Sequence, residues 1–352
     1  MNSWKKKLKY KRYIERHARK LFLRNQAHKR WKRQKLRREQ GLSKTFLKHK
    51  NEGFVYVTVP SQFSFLKNTK AVLQIINKLD TLLRDKKKVY VNLENVTEID
   101  NGAITVLLSK MTEFRLDKVE FNGNFPKDRT SKGLLISSGF LDHLNSSHLG
   151  TLFNESPENV YGKRNQFITK PGMKVISSLA GWICERTSDT LEQRETNKGL
   201  YRILIELMHN THNHAATNKE EKAWWLTVHH DRMNKRVSFV FLDFGVGIFE
   251  SLKSKPETSK LTGIYIKMME IMKINKHSEM LESILKGKVH KTITGLDYRG
   301  KGLPGIYEAS KRGFVTNLNI ITNDVVADVS NDYYGSLDCN FKGTFLYWEI
   351  IA

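Results

Sequence analysis

The chain has 352 residues, 39% hydrophobic and 10% aromatic, enough apolar material for about two packed domains at roughly 150 residues each. No run approaches the roughly 20 apolar residues of a membrane span, and no leader-type apolar stretch is read at the N-terminus. Two cysteines, Cys184 and Cys339, cannot build a disulfide framework, so a cytoplasmic setting is expected. A membrane protein, a secreted disulfide mini-protein and a Cys/His zinc module are thereby excluded.

The net charge of +24 is uneven. Residues 1–50 hold 20 Lys/Arg against two acids, Glu15 and Glu39, so +18 lies there and +6 is spread over the other 302 residues. The first 40 residues contain no Gly or Pro, and Tyr10, Ile14, Ala18 and Leu21 recur at helical spacing, with Ala27 and Trp31 continuing the stripe. One or two long basic helices are expected, ending near Gly41. Arrayed Lys/Arg neutralise phosphates and release counterions, and Trp4, Tyr10, Tyr13, Phe22 and Trp31 offer stacking faces. Nucleic acid is the favoured partner for residues 1–45, with an acidic protein surface and an anionic membrane face as the alternatives.

Between residues 51 and 150, β and α patterns alternate. Phe54–Val59 reads as a strand, 69–84 as a helix, Val89–Leu93 as a buried strand, 103–114 as a helix, Val119–Asn124 as a strand and 131–143 as a short helix. This alternation implies an α/β sheet. The strand Val89–Leu93, the turn Ile99-Asp100-Asn101-Gly102 and the apolar helix that follows resemble the STAS domain of anti-sigma-factor antagonists. In that family a regulatory Ser or Thr follows the Asp; here Asn101 and Gly102 stand there. Two roles are open for Asp100: part of a phospho-switching turn, or a helix cap, which is favoured. As a cap it leaves the resembling domain an interaction platform rather than a phosphoacceptor. A polar stretch near 154–165 reads as a linker within a lead-in region, 151–189.

The last segment carries the chemistry. In 200–215, Leu200, Ile203, Leu204, Leu207 and Met208 share one helical face, while Glu206, Asn210, Asn213 and His214 share another, with 206, 210 and 214 one turn apart. Such a polar row on an apolar helix suggests a buried polar face that needs a ligand. Two strands follow, Ala223–His230 and Arg236–Leu242. The second runs into Asp243-Phe244-Gly245-Val246-Gly247-Ile248, where glycines let backbone approach a flat ligand while a carboxylate accepts from an amine. After the 51 residues 249–299 comes Gly300-Lys301-Gly302-Leu303-Pro304-Gly305 at the start of a helix, a place where backbone N–H groups meet phosphates. Gly343-Thr344 is read as preceding a final strand, Phe345–Ile351. His209, His212 and His214 do not fall on one side of a helix and are read as pocket or surface residues.

Four motifs in this order, ExxxN, DxGxGI, GxGL and GT, resemble the GHKL ATP-binding fold of histidine kinases, anti-sigma kinases and gyrase-type ATPases, over residues 190–352. The resemblance implies an α/β sandwich that binds ATP and Mg²⁺. It assigns Asn210 to the metal, Glu206 to catalysis, Asp243 to the adenine amine, and Gly245, Gly247 and Thr344 to the base pocket. Gly300, Lys301, Gly302 and Leu303 would meet the phosphates, and 249–299 would form a lid. The architecture expected is therefore a basic helical arm (1–50), a STAS-like α/β domain (51–150) and a GHKL-type α/β domain (190–352). The favoured function is a nucleotide-gated regulatory protein, in which a slow ATPase activity is one option. A serine/threonine kinase of the anti-sigma type is the alternative.

Overall fold

The computed structural model describes residues 53–138, 140, 167–172, 175–193, 197–214, 224–253, 265–266, 276–287 and 302–352. The basic arm, the linker 154–165, Gly300 and Lys301 lie outside them. The chain divides into two compact units, Met1–Phe54 and Val55–Ala352, and the second is a mixed α/β structure with parallel and antiparallel sheets. Among the described residues no helix is long and apolar enough to cross a membrane.

The unit begins with β1 (Val55–Thr58), β2 (Gln62–Phe63), α1 (Thr69–Arg84), β3 (Val89–Asn92), β4 (Glu98–Ile99), α2 (Asn101–Leu116), β5 (Phe121–Gly123) and α3 (Arg129–Ser137). β1, β3 and β5 form a parallel sheet in that order, and β2 pairs with β4. Then come β6 (Phe167–Gly172), α4 (Ser177–Leu191), α5 (Lys198–His214), β7 (Trp224–Asp231), β8 (Arg236–Asp243), α6 (Ile248–Lys253), α7 (His277–Leu285), α8 (Gly302–Lys311), β9 (Thr316–Asp328) and β10 (Tyr333–Ile351). These strands form one sheet, ordered β6-β7-β8-β10-β9, with every neighbouring pair antiparallel.

Side chains alternate between the faces of this sheet, and both faces are covered. Trp224, Leu226, Val228, Val237, Phe239, Phe241, Leu346, Trp348 and Ile350 pack with α4, α5, α7 and α8. Trp225, Val240, Leu242, Phe345 and Ile321 pack instead with α1, α2 and the parallel sheet. α2 is consequently enclosed, with twelve of its sixteen residues buried, as expected of a helix between two sheets. The layers run from helices to the antiparallel sheet, then α1 and α2, then the parallel sheet. The second of these clusters draws side chains both from residues 57–140 and from β7, β8, β9 and β10.

Asp100 caps α2. Its Oδ1 accepts from the Ala103 N–H at 2.7 Å, and its Oδ2 accepts from the Ser64 hydroxyl and from the Leu66 N–H at 3.1 Å. The next turn has no room for a hydroxyl-bearing residue: a Cβ on Gly102 would come within 2.8 Å of the Phe345 ring. Packing against Phe345 accounts for the glycine at position 102.

Gly181 on α4 has open space where a Cβ would sit. Because Gly costs a helix about 1 kcal/mol relative to Ala, Gly181→Ala is expected to stabilise the protein by about that amount. Chemical denaturation of the two proteins side by side checks this.

Candidate functional site

The site forms where β8 ends beside β10. Asp243 pairs in register with Thr344, and both fall on the face that the helices cover, two residues along from Phe241 and Leu346. Asp243 is only 8% exposed. Burial pushes its carboxyl up to about 6, against hydrogen bonds from the Gly245 N–H and from Thr344 that hold it down. The Gly245 N–H donates to Oδ1 at 2.9 Å. A carboxylate in that position is short of solvent and suited to a ligand that donates hydrogen bonds.

The two-glycine turn is fastened from β9. The Ile248 N–H donates to Thr322 Oγ1 at 3.0 Å, and the same hydroxyl donates to the Gly343 carbonyl at 3.0 Å. Asn323 Oδ1 accepts from the Phe249 N–H at 3.0 Å while its Nδ2 donates to the Val246 carbonyl at 2.8 Å. Gly247 has φ +81°, and a Cβ there would lie 2.5 Å from Asn323 Oδ1. Thr322 and Asn323 were not singled out from the sequence. The available signal was an Asn in a β-branched strand, where it is disfavoured; it adopts φ +50°, a conformation Asn tolerates.

β10 runs unbroken from Tyr333 to Ile351, so Gly343-Thr344 lies within the strand and not before it. The register slips between Phe341 and Thr344: a bulge, not a strand start, aims Thr344 at Asp243.

Glu206 and Asn210 lie one turn apart on α5, opposite the buried Leu200, Leu204 and Met208. The polar row expected to be buried is half-buried over these two residues, so water reaches it. No hydrogen bond or ion pair among the described residues joins Glu206 or Asn210 to Asp243. α5 packs against α4 and α8, which places Glu206 and Asn210 in the same layer as Gly302 and Leu303 at the start of α8. Leu303 packs against the helix-side core.

The segment 249–299 is not free along its length. Phe249 on α6 and Met280 and Leu281 on α7 are fully buried. His277 stacks on Phe249 at 4.4 Å, and its Nδ1 lies 2.5 Å from Asp324 Oδ1. These contacts anchor both helices to β9.

Among the described residues no three His, Cys, Asp or Glu side chains gather as a metal cage. Asn210, half-buried on α5, is the residue the sequence assigns to a metal. Asp243, Thr344 and the Gly245–Gly247 turn fit a purine edge bearing an amine. No protein-family model matches the chain, and no curated protein matches it.

Proposed function

We propose that this protein is an ATP·Mg²⁺-binding regulatory protein of the GHKL type, which couples its nucleotide state to the α/β layer behind the site and to a nucleic-acid-binding arm in residues 1–45. The observation that carries the reading is the buried Asp243, paired across the sheet with Thr344 and flanked by a turn whose second glycine cannot take a side chain. The carboxylate accepts from the exocyclic amine of adenine, and the Thr344 hydroxyl holds that carboxylate in orientation. N–H groups at the start of α8, with Gly300, Lys301, Gly302 and Leu303, meet the phosphates. Asn210 Oδ1 would hold Mg²⁺, which would supply charge neutralisation at the phosphate oxygens when bound. Glu206, one turn earlier, accepts the proton of the attacking water or hydroxyl.

A separate protein partner would meet a surface other than α2, which the chain's own sheet covers. The outer face of the parallel sheet, where Tyr56 is 52% exposed, is the surface proposed for that contact.

γ-labelled ATP with wild type, Glu206→Ala and Asn210→Ala tests the reading. Wild type is expected to bind Mg·ATP. Asn210→Ala should weaken Mg-dependent binding by about 10- to 100-fold, the worth of one interaction with a charged group. Glu206→Ala should bind normally and lose phosphate release. Label transferred to a protein hydroxyl instead of released would favour the kinase alternative. Wild type that binds no ATP would overturn the proposal.

A further inference from the structure

Asp243 and Thr344 face the helical layer, and each is followed by a phenylalanine in the opposite, α/β-side cluster. Phe345 meets Phe65 edge-on at 4.5 Å and lies against Gly102 at the start of α2. Phe244 meets Phe341 edge-on at 6.0 Å, and Phe341 in turn meets Phe65 at 5.7 Å. The back of the site is therefore an aromatic floor, with Phe244, Phe341 and Phe345 of the antiparallel sheet's end packed on Phe65 of the α/β layer.

One polar group enters that floor. Lys110, on the enclosed α2, has a side chain only 5% exposed, and its Nζ lies 3.9 Å from the centroid of the Phe244 ring. The ammonium is answered from both helices of the layer, by Asp80 Oδ1 of α1 at 2.7 Å and by Glu113 Oε2 of α2 at 3.0 Å. Burial raises the Glu113 carboxyl, with Lys110 opposing the rise and Asp80 and Asp117 adding to it. A buried cation is costly unless it is paired, and a cation over an aromatic face is attracted to it. Fixing Phe244 fixes the backbone that aims Asp243.

We propose that Lys110 is a positioning residue for the nucleotide site, holding the Asp243–Phe244 turn through the Phe244 ring and so making the α1–α2 layer the element that sets the geometry of the base pocket. The proposal rests on the nucleotide reading for its ligand, but its geometry is testable without one.

Lys110→Met keeps the aliphatic stem and removes the charge. Asp80 and Glu113 keep side-chain exposures of 38% and 34%, and the melting temperature of Lys110→Met shows how far the lost ion pair destabilises the fold. Lys110→Arg restores a cation. The first readout is the titration of the Asp243 carboxyl carbon by NMR in ligand-free protein, with a midpoint of about 6 in wild type. Simple loss of a nearby positive charge would raise that midpoint. A loosened turn admits water and lowers it toward the ordinary carboxyl range, by about one unit or more. The second readout is ATP affinity, expected to fall about tenfold in Lys110→Met and to recover in Lys110→Arg.

A midpoint that rises or stays fixed in Lys110→Met, while only the melting temperature falls, would reduce Lys110 to a structural ion pair and overturn the proposal. If wild type itself binds no ATP, the nucleotide reading fails, and the carboxyl titration still decides the role of Lys110.

Discussion

Asp243→Asn is expected to stabilise the ligand-free protein at pH 8 while weakening its hold on ATP. The carboxyl stands at about 6 in the folded chain against an ordinary 3.8, a difference worth about 3 kcal/mol. Because the folded value lies above the unfolded one, the contribution of this group is complete below about pH 4 and is lost as pH rises through about 6. At pH 8 the empty site holds a buried carboxylate whose charge Asn does not carry, so the variant should melt higher there and show no gain at pH 4. Binding moves the other way. The ionised carboxylate accepts from the adenine amine, whereas Asn turned to keep its bond from Gly245 presents an amide N–H₂ to another donor. Losing a charge-assisted hydrogen bond and leaving a donor unpaired costs about 1.5–3 kcal/mol, or about 10- to 100-fold in affinity. Wild-type affinity should climb between pH 5 and 7 as the carboxyl ionises, and that of Asp243→Asn should be flat. Calorimetric titrations at several pH values, beside thermal melts, read both effects. Equal ATP affinity of the two proteins at pH 8 would remove Asp243 from the base contact.

The same stretch shows what a sequence discloses and where it stops. Asp243, Gly245 and Gly247 stand out because an acid followed by spaced glycines at the end of an apolar run is a local signal, and the helix over 69–84 stands out because its spacing is regular. Leu200, Ile203, Leu204, Leu207 and Met208 are all buried, as the periodicity of that helix requires. Which layer covers which face is not a local property. Strands such as Val237–Leu242 are largely apolar on both faces, which says that both are covered, but nothing in such a run tells which layer covers which face. For that reason the enclosure of α2, and with it the meeting of Lys110 and Phe244 across 134 positions of sequence, was not to be read from the chain. Thr322 and Asn323 escaped for a related reason, since their bonds reach back about 75 residues to a turn. Gly343-Thr344 was recognised as a pair but misplaced as a strand start, because a bulge inside a long strand and a break before a short one share the same glycine.

That bulge carries the other large expected effect. Gly343 has φ +145°, and a Cβ there would sit 2.1 Å from the carbonyl oxygen of Asp243 and 3.1 Å from the Phe341 ring. The nearer obstacle is backbone in the central strand β8, which cannot turn aside as a side chain can. Gly343→Ala therefore has to move β10 away from β8 or rebuild the bulge, and either change breaks the register that sets Thr344 opposite Asp243. It also displaces the Gly343 carbonyl from the Thr322 hydroxyl, the group that fastens the Ile248 end of the turn. Backbone strain of about 1–3 kcal/mol together with overpacking of about 1–3 kcal/mol gives an expected loss of about 2–6 kcal/mol in stability. ATP binding should fall further than that loss predicts, because at temperatures where the variant is still folded its Asp243–Thr344 pair is misaligned. Equilibrium denaturation together with nucleotide titration at low temperature separates the two effects. Wild-type stability and affinity in Gly343→Ala would mean that the close approach of β8 and β10 at this point is not what builds the pocket.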